Sequence, residues 1–531
     1  MQIPVFKQNN QGQISLFPAR LDENIAENDL VRLINKIVDA MEIKDLLSGY
    51  KGGGTSAYHP RMMLKVLLYA YCQKIYSGRK ISQALKRDVA FMWLSGNQSP
   101  DFRTINLFRS GRLKTGIEDV FKSLLLFMFD EGYIKIEDYY CDGTIIQADA
   151  NKHKATWKKN LQRYRERIEA RIDETIKEIE ELCHEEGLLP DSSPDYQVAP
   201  EDPTREERIN NTVEKMNALM QSEKKEVKQK VKKLAGDLYM DTVKEKIYEE
   251  KEEICGDRSG YSNTDTDASM MRTKECQEDL RPGYNVMIGS ENQFVTGISV
   301  HQNTNDGACF KEHMERREES LPISMQGRTA LVVADAIFGT EENYTYLNDK
   351  GIGSLLKYPL YDKEATLEFK NNLYLKENMP YDSQRDTFLC PNGKLLIFKE
   401  ETWVENKNKF KSLLRRYECE DCSACPHFDK CGGNREEGSK RNIQINRKLE
   451  EYKETFRKKV QTGKGKEKMR QRGHDVETVF GDTKQNQQFR RFHLRGIEKV
   501  TIEVTVVAIA HNLRKMGIIQ QRKANDLKKA G

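Results

Sequence analysis

The chain has 531 residues, 37% hydrophobic and 32% charged, with a formal net charge of only +4. That length predicts several domains with real cores under a very polar surface, and the near-neutral balance excludes a uniformly basic nucleic-acid coat. No apolar run reaches membrane-spanning length and no secretory leader opens the chain, so no membrane partner is expected and a cytoplasmic location is. The eleven cysteines are mostly scattered singly, as reduced thiols would be, apart from one cluster.

In chain order, residues 1–130 predict a helical N-terminal domain for DNA binding or dimerisation. In DLVRLINKIVDAMEIKDLL the apolar residues recur at three- and four-residue spacing. Pro60 is placed to begin a second helix, RMMLKVLLYAYCQKIY, and a further helix carries Thr104, Phe108 and Arg109. Basic residues at the helix breaks, Arg79, Lys80 and Arg109, are candidates for DNA contacts. Residues 131–154 predict a strand region, YYCDGTII, where aromatic and β-branched residues run up to Asp142. Residues 155–258 are dense in Glu, Lys and Arg with a thin apolar stripe. They predict two long helices in a charged hairpin, joined by the Pro- and acid-rich loop EEGLLPDSSPDYQVAPEDPTREE.

Strands resume over 259–360. GYNVMIGS and QFVTGISV predict a hairpin turning at Glu291-Asn292, and a helix follows near Lys311 to Glu319. ALVVA has the uninterrupted apolar character of a buried central strand and ends at Asp335; a helix from about Glu341 and the strand SLLKY come next. That order predicts a mixed α/β sheet. Residues 361–455 are a Cys-rich insertion, 456–520 a C-terminal helical region and 521–531 a basic tail.

Asp142 and Asp335 share a description: each closes a β-type run and precedes small or turn-compatible residues. Two such strands side by side would bring both carboxylates to one edge, where oxygen ligands suit Mg²⁺ or Mn²⁺. The third acid is sought in HDVETVFGDTKQNQQFRRFHLRG, where Glu477 and Lys484 are seven apart and so fall on one helix face. Arg490, Arg491 and Arg495 add cationic reach, and Glu503 is the fallback acid. Immediately upstream, RKKVQTGKGKEKMRQR carries eight basic residues against Glu467, either a phosphate-neutralising stretch or a flexible linker.

DGTIIQADANKHKATW, VVADAIFGTEENYTYL and VETVFGDTKQNQQFRRFHLRG together resemble the DDE transposases of bacterial insertion sequences. The nearest branch is the one known as insertion-sequence family 1182, related to groups with a Y-x2-R-x3-E-x6-K signature. YHPRMMLKVLLYAY, SGRKIS, TINLFR, TDTDASMM, GYNVMI and the TND at Asp306 are also similar to that family. The resemblance implies a ribonuclease-H-like fold, with the charged hairpin and the Cys-rich segment as insertions. It implies Asp142, Asp335 and Glu477 as the catalytic, metal-holding triad, with two Mg²⁺ or Mn²⁺ ions, and Lys484 as the signature lysine. It also implies double-stranded DNA as partner, a homodimer on DNA and a place at the bacterial nucleoid. Gly473 stands where the signature has arginine and Arg470 where it has tyrosine; Arg472 is adjacent, and both arginines are DNA-contact candidates. The expected activity is cutting of element ends and joining of the 3′-hydroxyl to target DNA. The alternatives are a metal-dependent nuclease without transposition and a domesticated DNA-binding protein.

In YECEDCSACPHFDKC, Cys419, Cys422 and Cys425 are spaced by two residues and Cys431 follows after five; Cys390 precedes a Gly-containing turn upstream. Such thiols can wrap one structural Zn²⁺, with His427 as a spare ligand. The spacing leaves open which four of the five cysteines bind.

Overall fold

The computed structural model describes residues 20–50, 56–188, 204–273, 276–423, 425–431, 436 and 439–530. The chain divides into two compact units, with the divisions at Asp149/Ala150 and Gly283/Tyr284.

The first unit opens with helices α1 (Leu30–Ala40), α2 (Lys44–Ser48), α3 (Pro60–Cys72), α4 (Gly78–Ala84), α5 (Val89–Ser95), α6 (Phe102–Ser110) and α7 (Ile117–Asp130). Their starts follow local chemistry: carboxylates of Asp29, Asp88 and Asp101 accept the first free amides of α1, α5 and α6. Pro60 takes the first turn of α3, where a missing N–H costs nothing. α3 buries Leu64, Leu67, Leu68 and Tyr71, and α7 buries Val120, Phe121, Leu124 and Leu125. Each such side chain contributes about 1.5–3 kcal/mol. Strand β1 (Asp138–Gln147) then runs past Asp142 for five more residues. The expectation that Asp142 ends a strand is therefore corrected: it sits mid-strand.

The second unit is built on strand β2 (Ala155–Trp157) and helices α8 (Lys158–Glu185), α9 (Arg205–Leu219) and α10 (Lys225–Cys255). Ile168, Ile172, Ile176, Ile179, Met216, Leu219, Val231 and Leu234 form its core. Two long helices were expected; among the described residues three occur. The break falls at Ser222, whose hydroxyl donates to Glu186 and accepts the Lys224 amide. Lys224 also salt-bridges Glu186, so a polar turn wins over a continued helix. Most of the acid- and Pro-rich linking loop, 189–203, lies outside the described residues. β3 (Gly260–Ser262), β4 (Asp265–Thr273) and the first half of β5 (Cys276–Glu291) pair antiparallel in this unit, with β2 beside β3.

β5 continues into the first unit and pairs antiparallel with β6 (Phe294–His301). Asn292 and Gln293 turn the hairpin with φ of +54° and +63°, the left-handed pair that matches strand twist. Helix α11 (Asp306–Ser320), strand β7 (Leu331–Ala334), helix α12 (Glu341–Asp349) and strand β8 (Gly353–Leu356) follow. β7 lies parallel to both β1 and β8, so the sheet is mixed; its order here is β6–β5–β1–β7–β8. Tyr139, Cys141, Met287, Phe310, Val332, Ala334, Phe338 and Leu356 form the core beneath it.

After helices α13 (Tyr361–Glu364) and α14 (Leu367–Asn371) comes a second antiparallel sheet. Among the described residues it has five strands: β9 (Tyr381–Asp382), β10 (Thr387–Leu389), β11 (Leu395–Glu405), β12 (Lys411–Cys419) and β13 (Asn442–Ile445). Helices α15 (Arg447–Gln461) and α16 (Gly463–Arg472) follow, so the basic stretch is helical and the flexible-linker alternative is corrected. Next come a π-helical turn (Gly473–Glu477), α17 (Thr478–Gly481), a second π-helical turn (Asp482–Asn486) and α18 (Ile497–Ala530). Residues 521–530, read as a tail, continue α18. Among the described residues no helix is long and apolar enough to cross a membrane.

Candidate active site

The register of β1 on β7 pairs Cys141 with Ala334, which sets the next residues, Asp142 and Asp335, side by side. β7 is buried throughout its last three residues and stops at Asp335, whose extended backbone begins a short 3₁₀ turn. Two residues from adjacent parallel strands thus present carboxylates at one edge.

Glu477 comes from the π-helical turn. Val476, within that turn, packs with Tyr140 of β1 and Val333 of β7, and Phe456 of α15 closes the cluster. Asp475 is buried and accepts the Ser290 hydroxyl at 2.6 Å and the Gln293 amide at 2.7 Å, tying the turn to the β5–β6 hairpin. Burial pushes the Asp475 carboxyl up, against the pull of those two donors. Lys468 on α16 bridges to Asp138 on β1. These contacts aim Glu477 at the strand edge.

The three carboxylates meet on Arg472. Its guanidinium lies 3.6 Å from Asp142, 3.7 Å from Asp335 and 3.5 Å from Glu477. The signature places arginine four residues before the glutamate, and here the arginine is five before. A π-turn bonds i to i+5 and so returns residues five apart to one face, which restores the contact that the extra residue would otherwise break. Nothing in the residue types of RGHDVE announces that turn.

A fourth carboxylate, Asp306, stands against Gly143. A side-chain carbon at Gly143 would come within 2.4–2.7 Å of that carboxyl group and would have to push it aside. Asn285 donates to Asp306 at 2.6 Å. Burial raises the Asp142 carboxyl to about 6; the Gly143 amide and Arg472 oppose this, while Asp306 and Asp335 add to it. Asp306 was legible only as part of a TND triplet, without a role.

Among the described residues no group of three or more His, Cys, Asp or Glu side chains is drawn up as a finished ligand set. The donor chemistry nonetheless fits a hard cation. The oxygens are all carboxylate, the point they surround holds a guanidinium, and Nη1 of that guanidinium is buried without a hydrogen bond.

Lys484 sits in the second π-turn and donates to the Ile145 carbonyl of β1 at 2.8 Å. Arg490 is exposed and donates to the Lys484 carbonyl. Arg491 and Arg495 both pair with Asp149, at 2.9 and 2.8 Å. Arg470 is exposed, and Arg79 lies over the Phe102 ring at 5.1 Å. Arg109 is different: at 4% exposure it is core. It bonds the Tyr71 hydroxyl and the Tyr76 carbonyl and faces Glu503 at 3.9 Å, so its assignment to DNA contact is corrected. Glu503, the fallback acid, is fully buried and accepts the His493 and Leu494 amides, which removes it from the carboxylate edge.

The second π-turn is anchored by Asp482, which takes His511 at 2.9 Å and Arg514 at 2.8 Å from α18. Burial raises this carboxyl, but the two partners outweigh it and hold it well below the usual range. A depressed folded-state carboxyl stabilises above the unfolded value and loses that contribution as pH falls through the folded one. Acidification below about pH 4 should therefore lower the urea midpoint of the parent. Asp482→Asn should be less stable at neutral pH and show a smaller acid loss.

Cys390, Cys419, Cys422, Cys425 and Cys431 line one small cleft with His427. Burial, with the nearby thiols of Cys422 and Cys390, pushes the Cys419 thiol up to about 12 against a bond to Asp421.

Residues 389–517 match the family model described as "Transposase DDE domain", and residues 19–111 match "Transposase domain (DUF772)". The first match contains Glu477, Arg472 and Lys484; Asp142 and Asp335 lie outside both. No curated protein and no solved structure matches the chain.

Proposed function

With two transposase domains matched along the chain, we propose that this protein cuts the ends of a DNA element and joins the freed 3′-hydroxyl to target DNA. The matches support the DDE transposases as its family and indicate a transposase in general. The observation that carries the finer reading is the convergence of Asp142, Asp335 and Glu477, from β1, β7 and a C-terminal π-turn, on one cationic point. The strand order β6–β5–β1–β7–β8, with β7 parallel to its two neighbours, supports a ribonuclease-H-like core. The break between Asp149 and Ala150 supports residues 150–283 as an insertion into it.

Asp142, Asp335 and Glu477 would hold Mg²⁺ or Mn²⁺. Bound there, a divalent pair lowers the barrier to in-line displacement by stabilising both the attacking and the leaving oxygen. The chain's own residues do the positioning. Parallel pairing of β1 and β7 fixes the two aspartates, and Asp475 and Val476 fix the glutamate, so little reorganisation remains. Arg472 keeps the acids together and supplies a positive charge where a scissile phosphate must lie. Exposed Arg470, Arg490 and Arg79, with Arg491 and Arg495, offer phosphate contacts; Lys484 lies beside β1. A homodimer on DNA follows from the need to join two ends, and the reaction belongs where the chromosome is, in the bacterial cytoplasm.

The test is an end-bearing DNA substrate incubated with the full chain and Mg²⁺. Nicking and joining are expected. Nicking without joining would leave a nuclease, and binding without nicking a DNA-binding protein; either overturns the proposal. Gly143→Ala is expected to cut cleavage by about 10²-fold, because the added carbon displaces Asp306 from beside Asp142 and misplaces the carboxylates. A nicking assay against the parent, with thermal melting as a fold control, checks it.

A further inference from the structure

The small second sheet carries a feature that DNA cleavage does not use. Among the described residues its core cluster holds Met379, Phe388, Leu396, Tyr417 and Ile443 together with Cys390, Cys419 and Cys422. With so few large apolar residues the sheet has little hydrophobic burial of its own, and such units commonly add a staple.

The cysteines are arranged in two tight turns that face each other. Cys390 follows β10 and starts a reverse turn: its amide donates to the Lys394 carbonyl at 2.8 Å, and Gly393 takes φ of +74°. The Lys394 amide then points back at the Cys390 sulfur, 3.3 Å away. Cys419 closes β12, opposite Leu396 of β11, and its amide donates to the Arg441 carbonyl. The Arg441 amide in turn donates to the Cys422 sulfur at 3.3 Å. Two backbone amides thus already point at buried sulfurs of the cluster. Lys394 and Arg441 line the same cleft. The enclosed free space is about 10 Å³, enough for one small ion and too little for an organic ligand.

We propose that Cys390, Cys419, Cys422 and Cys431 bind one structural Zn²⁺ that clamps the β10–β11 turn to the end of β12. The choice among the cysteines follows burial. These four are 2–9% exposed, whereas Cys425 is half-buried. A closed four-thiolate site excludes water, so the buried sulfurs are its ligands and Cys425 and His427 flank it. The sulfurs line one cleft but, among the described residues, are not drawn up as a finished ligand set, so binding must gather them. Each ligand gives up its proton on binding, and four thiolates satisfy a tetrahedral zinc with no open position, so the site is structural.

The site also bears on the rest of the unit. Arg447, the first residue of α15, reaches Asp386 at 2.6 Å and the Tyr417 hydroxyl on β12 at 3.2 Å. The sheet thereby holds the start of the helical path that leads to Glu477. Zinc binding does not depend on the transposase reading and is tested apart from it.

The experiment is elemental analysis of the full chain purified without chelators, followed by exchange into Co²⁺ and absorption spectroscopy. About one zinc per chain and a thiolate-to-cobalt charge-transfer band are expected. Cys390→Ser and Cys422→Ser should lose both signals, Cys425→Ser should keep both, and Asp142→Asn should keep both. Where a serine variant does not fold, thiol titration of the parent with a mercurial should release zinc in step with sulfur modification. Only traces of zinc after incubation with Zn²⁺, zinc retained by folded Cys422→Ser, zinc lost from Cys425→Ser, or no release on thiol titration would each overturn the proposal.

Discussion

Asp142→Asn, Asp335→Asn and Glu477→Gln are each expected to lower DNA cleavage by about 10³-fold or more while leaving DNA binding and melting temperature near the parent's. The three side chains gather within 3.5–3.7 Å of one guanidinium. An amide keeps the shape of the carboxylate but not its charge or its affinity for a hard cation. Asp142 is largely buried, so removing its charge relieves a desolvation cost and the fold does not suffer. Glu477 is exposed and contributes little packing. Plasmid nicking and gel-shift titration of the same preparations separate the two effects. Loss of binding in all three variants would mean that the acids organise the fold rather than the chemistry.

Arg109→Ala is expected to cost about 3–5 kcal/mol of stability, measured as the shift in urea midpoint, with DNA affinity of the folded fraction unchanged. Arg109 joins α6 to α3 through the Tyr71 hydroxyl and to α18 through Glu503. Glu503 also receives the Tyr71 hydroxyl at 3.0 Å and His493 at 3.3 Å. Burial raises the Glu503 carboxyl, yet His493 and Arg109 bring it below the usual range, so it is charged at neutral pH. Truncating Arg109 strands that charge in the core. Replacing both Arg109 and Glu503 with apolar residues should recover part of the loss, because the stranded charge goes with its partner. A small stability change accompanied by weakened DNA binding would return Arg109 to the surface role that its position near a helix break suggested.

The two arginines show where reading by residue type stops. Arg79 and Arg109 looked alike in the chain, each basic and each close to a helix break. One is exposed over an aromatic ring, and the other is enclosed by a helix that begins almost four hundred residues later. Burial of a cation depends on what packs over it, and that partner is not local.

Apolar period and turn residues were enough by themselves to place α3, the β5–β6 hairpin and the β7 strand ending at Asp335. These are local: Pro60 sets a helix start, a left-handed pair turns the hairpin at Asn292 and Gln293, one residue later than expected, and LVVA suits a strand covered on both faces. The tertiary structure alone decided that Asp142 and Asp335 are neighbours, through a parallel register between strands almost two hundred residues apart. It alone decided that Arg472, one residue before the position where the signature has arginine, reaches Glu477. A π-turn depends on how Asp475 and Val476 are held by β1, β5 and β7, and those contacts exist only once the sheet has formed.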